Sequence, residues 1–211
     1  AVTGDKSLTC NTPVGTAGVK DVTVTTPGGT SAPGSFTYDD VPVLGTVSPA
    51  GGPLAGGTTI TLTGISFAAG STTVSVGGAA CTGVAVSGST SLTCSTPARP
   101  AGPAVVSVTT PGGTSNTLAF VFHAVPTLAT ATPAAGPSAG GTVVTLAGTG
   151  FVVGDTTVTV GGAPCTAVHV TGATQLECTT PARPAGAANI VATTPGGTSN
   201  PVTFTIDPVP A

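Results

Sequence analysis

The stretch Thr-Thr-Pro-Gly-Gly-Thr-Ser occurs three times in the chain, at residues 25–31, 109–115 and 193–199. The prolines of the three copies are Pro27, Pro111 and Pro195, so the copies recur at a constant spacing of 84. A fixed period of this size is typical of an array of like domains. In each copy the proline fixes φ at the second position of a turn, and the following glycine supplies the positive φ of a type II turn. Because apolar and polar residues alternate on both sides, each copy predicts a β-hairpin.

The composition favours a chain of short strands and tight turns. Charged residues make up 5% of the 211 residues, against roughly 25% in a typical soluble domain. The 32 Gly and 20 Pro would also suit disorder, but the fixed period and the alternating valines favour an all-β fold.

A net charge of −3 with only four basic residues argues against nucleic-acid binding. No apolar run approaches the roughly 18 residues of a membrane-spanning helix.

The period divides the chain into about two and a half units. Residues 1–40 match the second half of a unit, 41–124 and 125–208 are complete units, and 209–211 begin the next linker. Seven or so short strands per unit, with turn signals every 8–12 residues, predict tandem immunoglobulin-like β-sandwiches. The linkers around Pro42 and Pro126 are short and stiffened by proline, so we expect domains arranged end to end with limited bending. Since the chain contains no Met, we expect it to be a piece of a longer protein.

Four positions per unit are predicted to face the core. They stay apolar in all three units while their neighbours vary, as expected for the buried face of a strand. In the first unit they are Val22, Val24, Phe36 and Tyr38.

The cysteines follow the same period. Two pairs have the same separation in sequence, and Cys10 is equivalent to Cys94, so its own partner would fall before residue 1. The pairs indicate two disulfides and an oxidising compartment, each bond stabilising its domain by roughly 3 kcal/mol. Buried free thiols are the alternative. Metal binding is disfavoured because no His or second Cys lies at ligand spacing. The paired residues are Cys81 with Cys94, and Cys165 with Cys178.

Four motifs in order resemble the IPT/TIG domain, an immunoglobulin-like fold of the early-set type. In the second unit they are residues 49–58, 76–81, 94–97 and 111–120. The third unit carries the same run, the first carries only its second half, and the paired cysteines also resemble the family pattern. The resemblance implies a fold more than a function. Such domains occur in extracellular parts of receptors, in microbial surface and secreted proteins, and as spacers beside enzyme domains. They also occur in transcription factors, whose basic loops have no counterpart here.

Few residues suggest chemistry. Arg99 and Arg183 lie at equivalent loop positions, where they are either a repeated contact with a partner or solvated charges; the first unit has Gly15 there, which favours solvated charges. His123 and His169 do not recur at the period. A repeated calcium site at Asp39-Asp40 is disfavoured because its equivalents are His123-Ala124 and Asp207-Pro208. We find no catalytic triad, carboxylate pair or phosphate loop, and predict neither an enzyme nor a cofactor. The abundant Thr and Ser are either O-glycosylation sites or plain strand formers.

The sequence therefore predicts a structural segment of an extracellular or cell-surface repeat protein, such as a stalk, fibre or filament. It would act as a rigid spacer or assembly unit, in contact with copies of itself or with neighbouring domains of the same long chain. The alternatives are an adhesion module that binds carbohydrate or a cell-surface partner, which the scarcity of aromatics disfavours, and a spacer within a larger secreted enzyme. The missing half of the first unit would come from preceding residues or, less favoured, from a neighbouring subunit by strand donation.

Overall fold

The computed structural model describes residues 1–4 and 6–208, and this part of the chain is built from strands without a helix. The all-β fold class is confirmed. The predicted linker at 209–211 lies outside the described residues. Among the described residues, no helix is long and apolar enough to cross a membrane.

Residues 1–40 form three small two-stranded sheets. Their pairings are β1 with β2, β3 with β6, and β4 with β5, all antiparallel. No larger sheet assembles from them within the described residues. The strands are β1 (Val2–Gly4), β2 (Ser7–Leu8), β3 (Gly18–Val22), β4 (Thr25–Thr26), β5 (Gly29–Thr30) and β6 (Gly34–Tyr38).

Residues 41–124 form a two-sheet sandwich. One sheet has the order β12-β13-β9-β7, and the other has the order β11-β10-β14-β16-β8 with β15 paired to β14. The strands are β7 (Val43–Ser48), β8 (Gly51–Pro53), β9 (Thr59–Ile65), β10 (Thr73–Val76), β11 (Ala79–Ala80), β12 (Thr82–Gly88), β13 (Ser91–Ser95), β14 (Gly102–Thr110), β15 (Gly113–Thr114) and β16 (Leu118–His123).

Residues 125–208 repeat this topology strand for strand. The sheets have the orders β17-β19-β23-β22 and β18-β26-β24-β20-β21, with β25 paired to β24. The strands are β17 (Thr127–Thr132), β18 (Ala135–Pro137), β19 (Val143–Thr149), β20 (Thr157–Val160), β21 (Ala163–Pro164), β22 (Thr166–Gly172), β23 (Gln175–Thr179), β24 (Gly186–Thr194), β25 (Gly197–Thr198) and β26 (Val202–Asp207).

Each sandwich encloses one apolar core between its sheets. In the second unit, alternate residues of the facing strands point inward and are fully buried, as their period of two requires. Burying each such side chain contributes roughly 1.5–3 kcal/mol. The predicted core positions of this unit are among them, whereas within residues 1–40 Val22, Val24 and Phe36 are exposed, so the prediction of burial is not met there. The buried set includes Ile60, Leu62, Leu92, Val106, Val108, Phe120 and Phe122.

Each complete unit has ten strands, three more than the seven or so predicted, and one of the added strands pairs in parallel. The segments around residues 49–53 and 133–137 read as loops because Gly and Pro fill them, yet β8 and β18 pair in parallel with β16 and β26. Three-residue strands at a sheet edge tolerate Gly and Pro because one side of the backbone needs no partner strand. Each pairs with the last strand of its own unit, a partner that no local pattern reveals.

Candidate functional site

The repeated motif holds its hairpin together with the same hydrogen bonds in all three copies. In the second copy the Thr110 hydroxyl accepts from the Gly112 backbone N–H at 3.3 Å. The hydroxyls of Thr109 and Thr114 meet across the strands at 3.0 Å. The Ser115 hydroxyl accepts from the Val108 N–H at 3.0 Å. Equivalent bonds occur in the copies at 25–31 and 193–199, so each Thr and Ser of the motif satisfies a nearby polar group.

The turn itself differs from the type II geometry predicted. Positive φ falls on the second glycine, at 130° for Gly113 and 124° for Gly197, and not on the first. The first glycine serves another purpose in the complete units. A Cβ on Gly112 would overlap the backbone carbonyl of Asp40, and one on Gly196 would overlap that of Ala124. The turn of each complete unit therefore packs directly against the linker that enters the unit.

The first copy of the motif lacks this linker contact within the described residues. A Cβ on Gly28 would lie 3.6 Å from its nearest neighbour, the Thr26 hydroxyl, which is ordinary van der Waals contact. Within the described residues, the first glycine of the motif thus has a close backbone neighbour in the second and third copies but not in the first.

The two junctions are short and partly buried. β6 ends at Tyr38 and β7 begins at Val43, while β16 ends at His123 and β17 begins at Thr127. The linker prolines Pro42 and Pro126 are both buried. Proline restricts the backbone, and burial adds packing contacts that bending would have to break.

An asparagine that follows the motif joins the two sheets. The Asn116 side-chain oxygen accepts from the Leu44 N–H at 2.8 Å, and its amide nitrogen donates to the Leu44 carbonyl at 3.0 Å. Asn200 makes the same two bonds to Leu128 at 3.0 and 2.8 Å. Sequence reasoning missed both residues. The signal was present, since Asn follows the motif in both complete units while the first unit has Ala32.

Cys81 and Cys94 form a disulfide in the structure, with their Cα atoms 5.9 Å apart. Cys165 and Cys178 are recorded as separate thiols. Their backbone surroundings match those of the bonded pair. The N–H groups of Cys81 and Cys165 donate to the carbonyls of Val74 and Val158, each at 2.8 Å. The second disulfide stays a prediction.

The two thiols of the third unit shift each other's pKa. Cys178 donates a hydrogen bond to the Cys165 sulfur, and this bond lowers the Cys165 pKa while burial opposes it. The same hydrogen bond, followed by burial, raises the Cys178 pKa. Cys165 is therefore the residue of the pair that more readily becomes the nucleophilic thiolate. Cys10 is exposed.

The two arginines lie beside equivalent Gly-Gly turns. A Cβ on Gly77 would lie 2.8 Å from the Arg99 guanidinium carbon, and one on Gly161 would lie 2.7 Å from an Arg183 nitrogen. Within residues 1–4 and 6–208, the buried Arg183 Nε has no hydrogen-bond partner. Both side chains are half-buried against these turns, and each occupies the space that a Cβ of the neighbouring glycine would need. Contact with a partner stays a prediction for both.

The remaining candidate residues do not assemble into a chemical site. His169, Asp39 and Asp40 are exposed, and His123 is half-buried against Gly51. No group of three His, Cys, Asp or Glu suited to a metal occurs among the described residues. A concavity of about 810 Å³ lies where the second and third units meet, lined by His123, Asp155 and small residues.

Comparison with known proteins places the two complete units in one family. The model of the IPT/TIG domain matches residues 42–122 and 126–206. Mouse Fibrocystin-L is 34% identical over 140 residues, which is 65% of this chain and 3% of that protein. The solved extracellular region of plexin A4, domains 1 to 10, superposes with a TM-score of 0.51 at 23% identity over 79% of this chain and 16% of that one. This chain therefore spans only a small part of either relative. With most of its length in two matches to one domain model, the chain belongs to the IPT/TIG domain family.

Proposed function

We propose that the chain is a rigid spacer segment of an extracellular or cell-surface repeat protein. The observation that carries this proposal is the linker contact, in which the Pro-Gly-Gly turn of each complete unit packs against the linker entering it. The contact recurs at equivalent positions of both junctions, with Gly112 against the Asp40 carbonyl and Gly196 against the Ala124 carbonyl. A flexible tether would lack it, since flexible linkers are usually rich in exposed Gly and Ser.

The cysteines favour an extracellular location. A bonded Cys81–Cys94 pair and a second pair of adjacent thiols suit an oxidising environment outside the cytosol. The solved structures of similar fold include the extracellular region of plexin A4, and the IPT/TIG domain is a non-catalytic domain type.

The aromatics favour a spacer over a sugar-binding module. The complete units bury every Phe they contain, so neither offers an aromatic face on which a sugar ring could stack. The buried residues are Phe67, Phe120, Phe122, Phe151 and Phe204.

Backbone ¹⁵N relaxation tests the proposal directly. If the junction is stiff, residues 41–124 and 125–208 will share one anisotropic rotational diffusion tensor. Separate isotropic correlation times for the two units would contradict a rigid spacer. Light scattering at rising concentration then distinguishes a spacer, which stays monomeric, from an assembly unit, which associates side by side.

A further inference from the structure

The guanidinium of Arg183 is held in place by the third unit. The Arg183 backbone N–H donates to the Ser138 carbonyl at 2.9 Å. The side chain is half-buried against the Gly161 turn, with Nη2 2.7 Å from the place where a Cβ of Gly161 would stand. Because the fold has already ordered this side chain, a ligand that binds to it loses less conformational entropy than one that must fix a mobile arginine.

This ordered guanidinium lacks an acceptor of its own. Within the described residues, Arg183 Nε is enclosed and has no hydrogen-bond partner. A buried donor without an acceptor is rare, and a water or an ion that completes the site is a common explanation. Arg183 is also the only Lys or Arg in residues 125–208, so a ligand would meet a single positive charge. A carboxylate matches that charge and the planar shape of the guanidinium.

A concavity of about 570 Å³ opens beside Arg183, on the outer side of β20 and β24. Its lining includes Thr159, Asn189 and Thr198, and no carboxylate lines it among the residues that the structure describes. Asn189 is exposed, and its side-chain amide can both donate and accept hydrogen bonds, as the threonine hydroxyls can. The volume lies in the range of small-molecule sites. The concavity therefore combines one cation with several uncharged polar groups.

The concavity lies on the face of a sheet whose strands are already paired. β24 pairs with β20 and β26, and β20 pairs with β24 and β21. An extended peptide therefore cannot join the sheet here as an added strand, which is how peptides commonly bind to sheets. The polar lining suits a compact ligand with several hydroxyl groups, held by charge and hydrogen bonds in place of aromatic stacking.

The second unit has the arginine without the amide. Arg99 lies across the Gly77 turn, with its guanidinium carbon 2.8 Å from the place of a Gly77 Cβ. The residue equivalent to Asn189 is Val105, which is 53% exposed. The charge is thus common to both complete units, while the polar group beside it belongs to the third unit alone.

We propose that the third unit binds a sugar acid, meaning a hydroxylated ring that carries one carboxylate. The Arg183 guanidinium would donate hydrogen bonds to the carboxylate, and the Asn189 amide and the Thr159 hydroxyl would bind ring hydroxyls. The proposal goes beyond the spacer function and is independent of it, because the spacer depends on the Gly112 and Gly196 contacts at the junctions.

The test titrates the full chain with methyl glucuronide and follows ¹H–¹⁵N spectra. We expect saturable shifts of the amides of residues 159–162 and 187–191, and of the Arg183 Nε–H, whose burial slows its exchange with water. Methyl glucoside has a hydroxymethyl group in place of the carboxylate and should bind at least about tenfold more weakly. Acetate lacks the ring and should bind at least about fivefold more weakly than the glucuronide.

Variants assign the binding to the two side chains. Arg183→Lys keeps the charge but loses the planar fork, and should weaken glucuronide binding about tenfold. Asn189→Val gives the third unit the residue of the second and should weaken it about fivefold. Val105→Asn should strengthen binding beside Arg99 by a similar factor, read from the amides of residues 103–107. Arg99→Lys is the control and should leave the shifts of residues 187–191 unchanged.

Unchanged amide positions of residues 143–149 in each variant show that the third unit is folded. Equal affinity for methyl glucoside would overturn the proposal, since the carboxylate would then play no part. Equal affinity for acetate would mean an adventitious ion only and would also overturn it. Tighter binding of the peptide acetyl-Gly-Glu-Gly-amide would assign the site to an acidic protein segment, and the proposal would be wrong. The absence of saturable shifts would leave Arg183 without a ligand of this class.

Discussion

The first glycine of the Pro-Gly-Gly turn occupies two different surroundings in one chain. Gly112 faces the Asp40 carbonyl closely enough to exclude a Cβ, while a Cβ on Gly28 would meet only the Thr26 hydroxyl, at ordinary van der Waals distance. Neither glycine has positive φ, so alanine is acceptable to the backbone at both positions. Only the neighbouring linker distinguishes them, which makes the two sites a natural pair for measuring the linker contact.

Gly112→Ala should destabilise the second unit by about 1–3 kcal/mol, because the new methyl group forces the turn away from the linker. Urea unfolding followed by hydrogen exchange of residues 41–124 measures the change. Gly28→Ala is the matched control and should cost nothing in the complete units, since it removes only glycine flexibility. Equal effects at both sites would mean that the linker contact does not contribute to stability.

Asn116→Ala should destabilise the second unit by about 1–2 kcal/mol. The substitution leaves the N–H and the carbonyl of Leu44 without their partner, and those groups lie in a partly buried position. Thermal unfolding measures the loss, with Thr117→Ala as the control because that neighbouring side chain is exposed. A loss no greater than that of the control would show that water replaces both bonds.

The strands were predictable where the local sequence pattern determines which side chains are buried. Alternation in β9, β14 and β16 follows the burial seen in the structure, since each inward side chain meets the opposite sheet. Two features could not be predicted from one local stretch, because the partners lie at opposite ends of the same unit's sequence. They are the parallel pairing of β8 and β18 and the hydrogen bonds of Asn116 and Asn200. The linker contact was hidden for the same reason: a repeated glycine suggests a turn before it suggests a close backbone neighbour.

The third unit provides a test at the level of the element, since Cys165 directly precedes β22 and Cys178 lies in the neighbouring strand β23. Adding glutathione disulfide to the reduced chain should bond Cys165 to Cys178, since the Cys165 thiolate attacks first and Cys178 then displaces the second thiol. The lowered Cys165 pKa means that the first step proceeds below the pH at which an ordinary thiol ionises. Mass spectrometry of the peptides that carry Cys165 and Cys178 should show the loss of two hydrogens, and the free energy of unfolding of the third unit should rise by about 3 kcal/mol.

Cys178→Ser separates this bond from other reactions of the thiols. In this variant the peptide that carries Cys165 should stop at a mixed disulfide with glutathione and be heavier by one glutathionyl group. If Cys165 and Cys178 of the unchanged chain both remain open to alkylation after oxidant treatment and unfolding, the predicted disulfide is wrong and the pair consists of free thiols.

The whole molecule should behave as one elongated body only while its junctions are short. Inserting a short Gly-Ser segment between Ala124 and Val125 separates the linker from the Gly196 turn and lengthens the connection at 124–126. We expect the two complete units to tumble independently while each keeps most of its folded stability, because their cores lie within single units. The same insertion after the exposed Val153, in a loop of the third unit, is the control and should leave the common tumbling intact. Unchanged ¹⁵N relaxation after the insertion at 124 would mean that contacts between the two sandwiches, and not the linker, keep the junction stiff. The Pro-Gly-Gly turn that recurs in every unit would then contribute to folding alone.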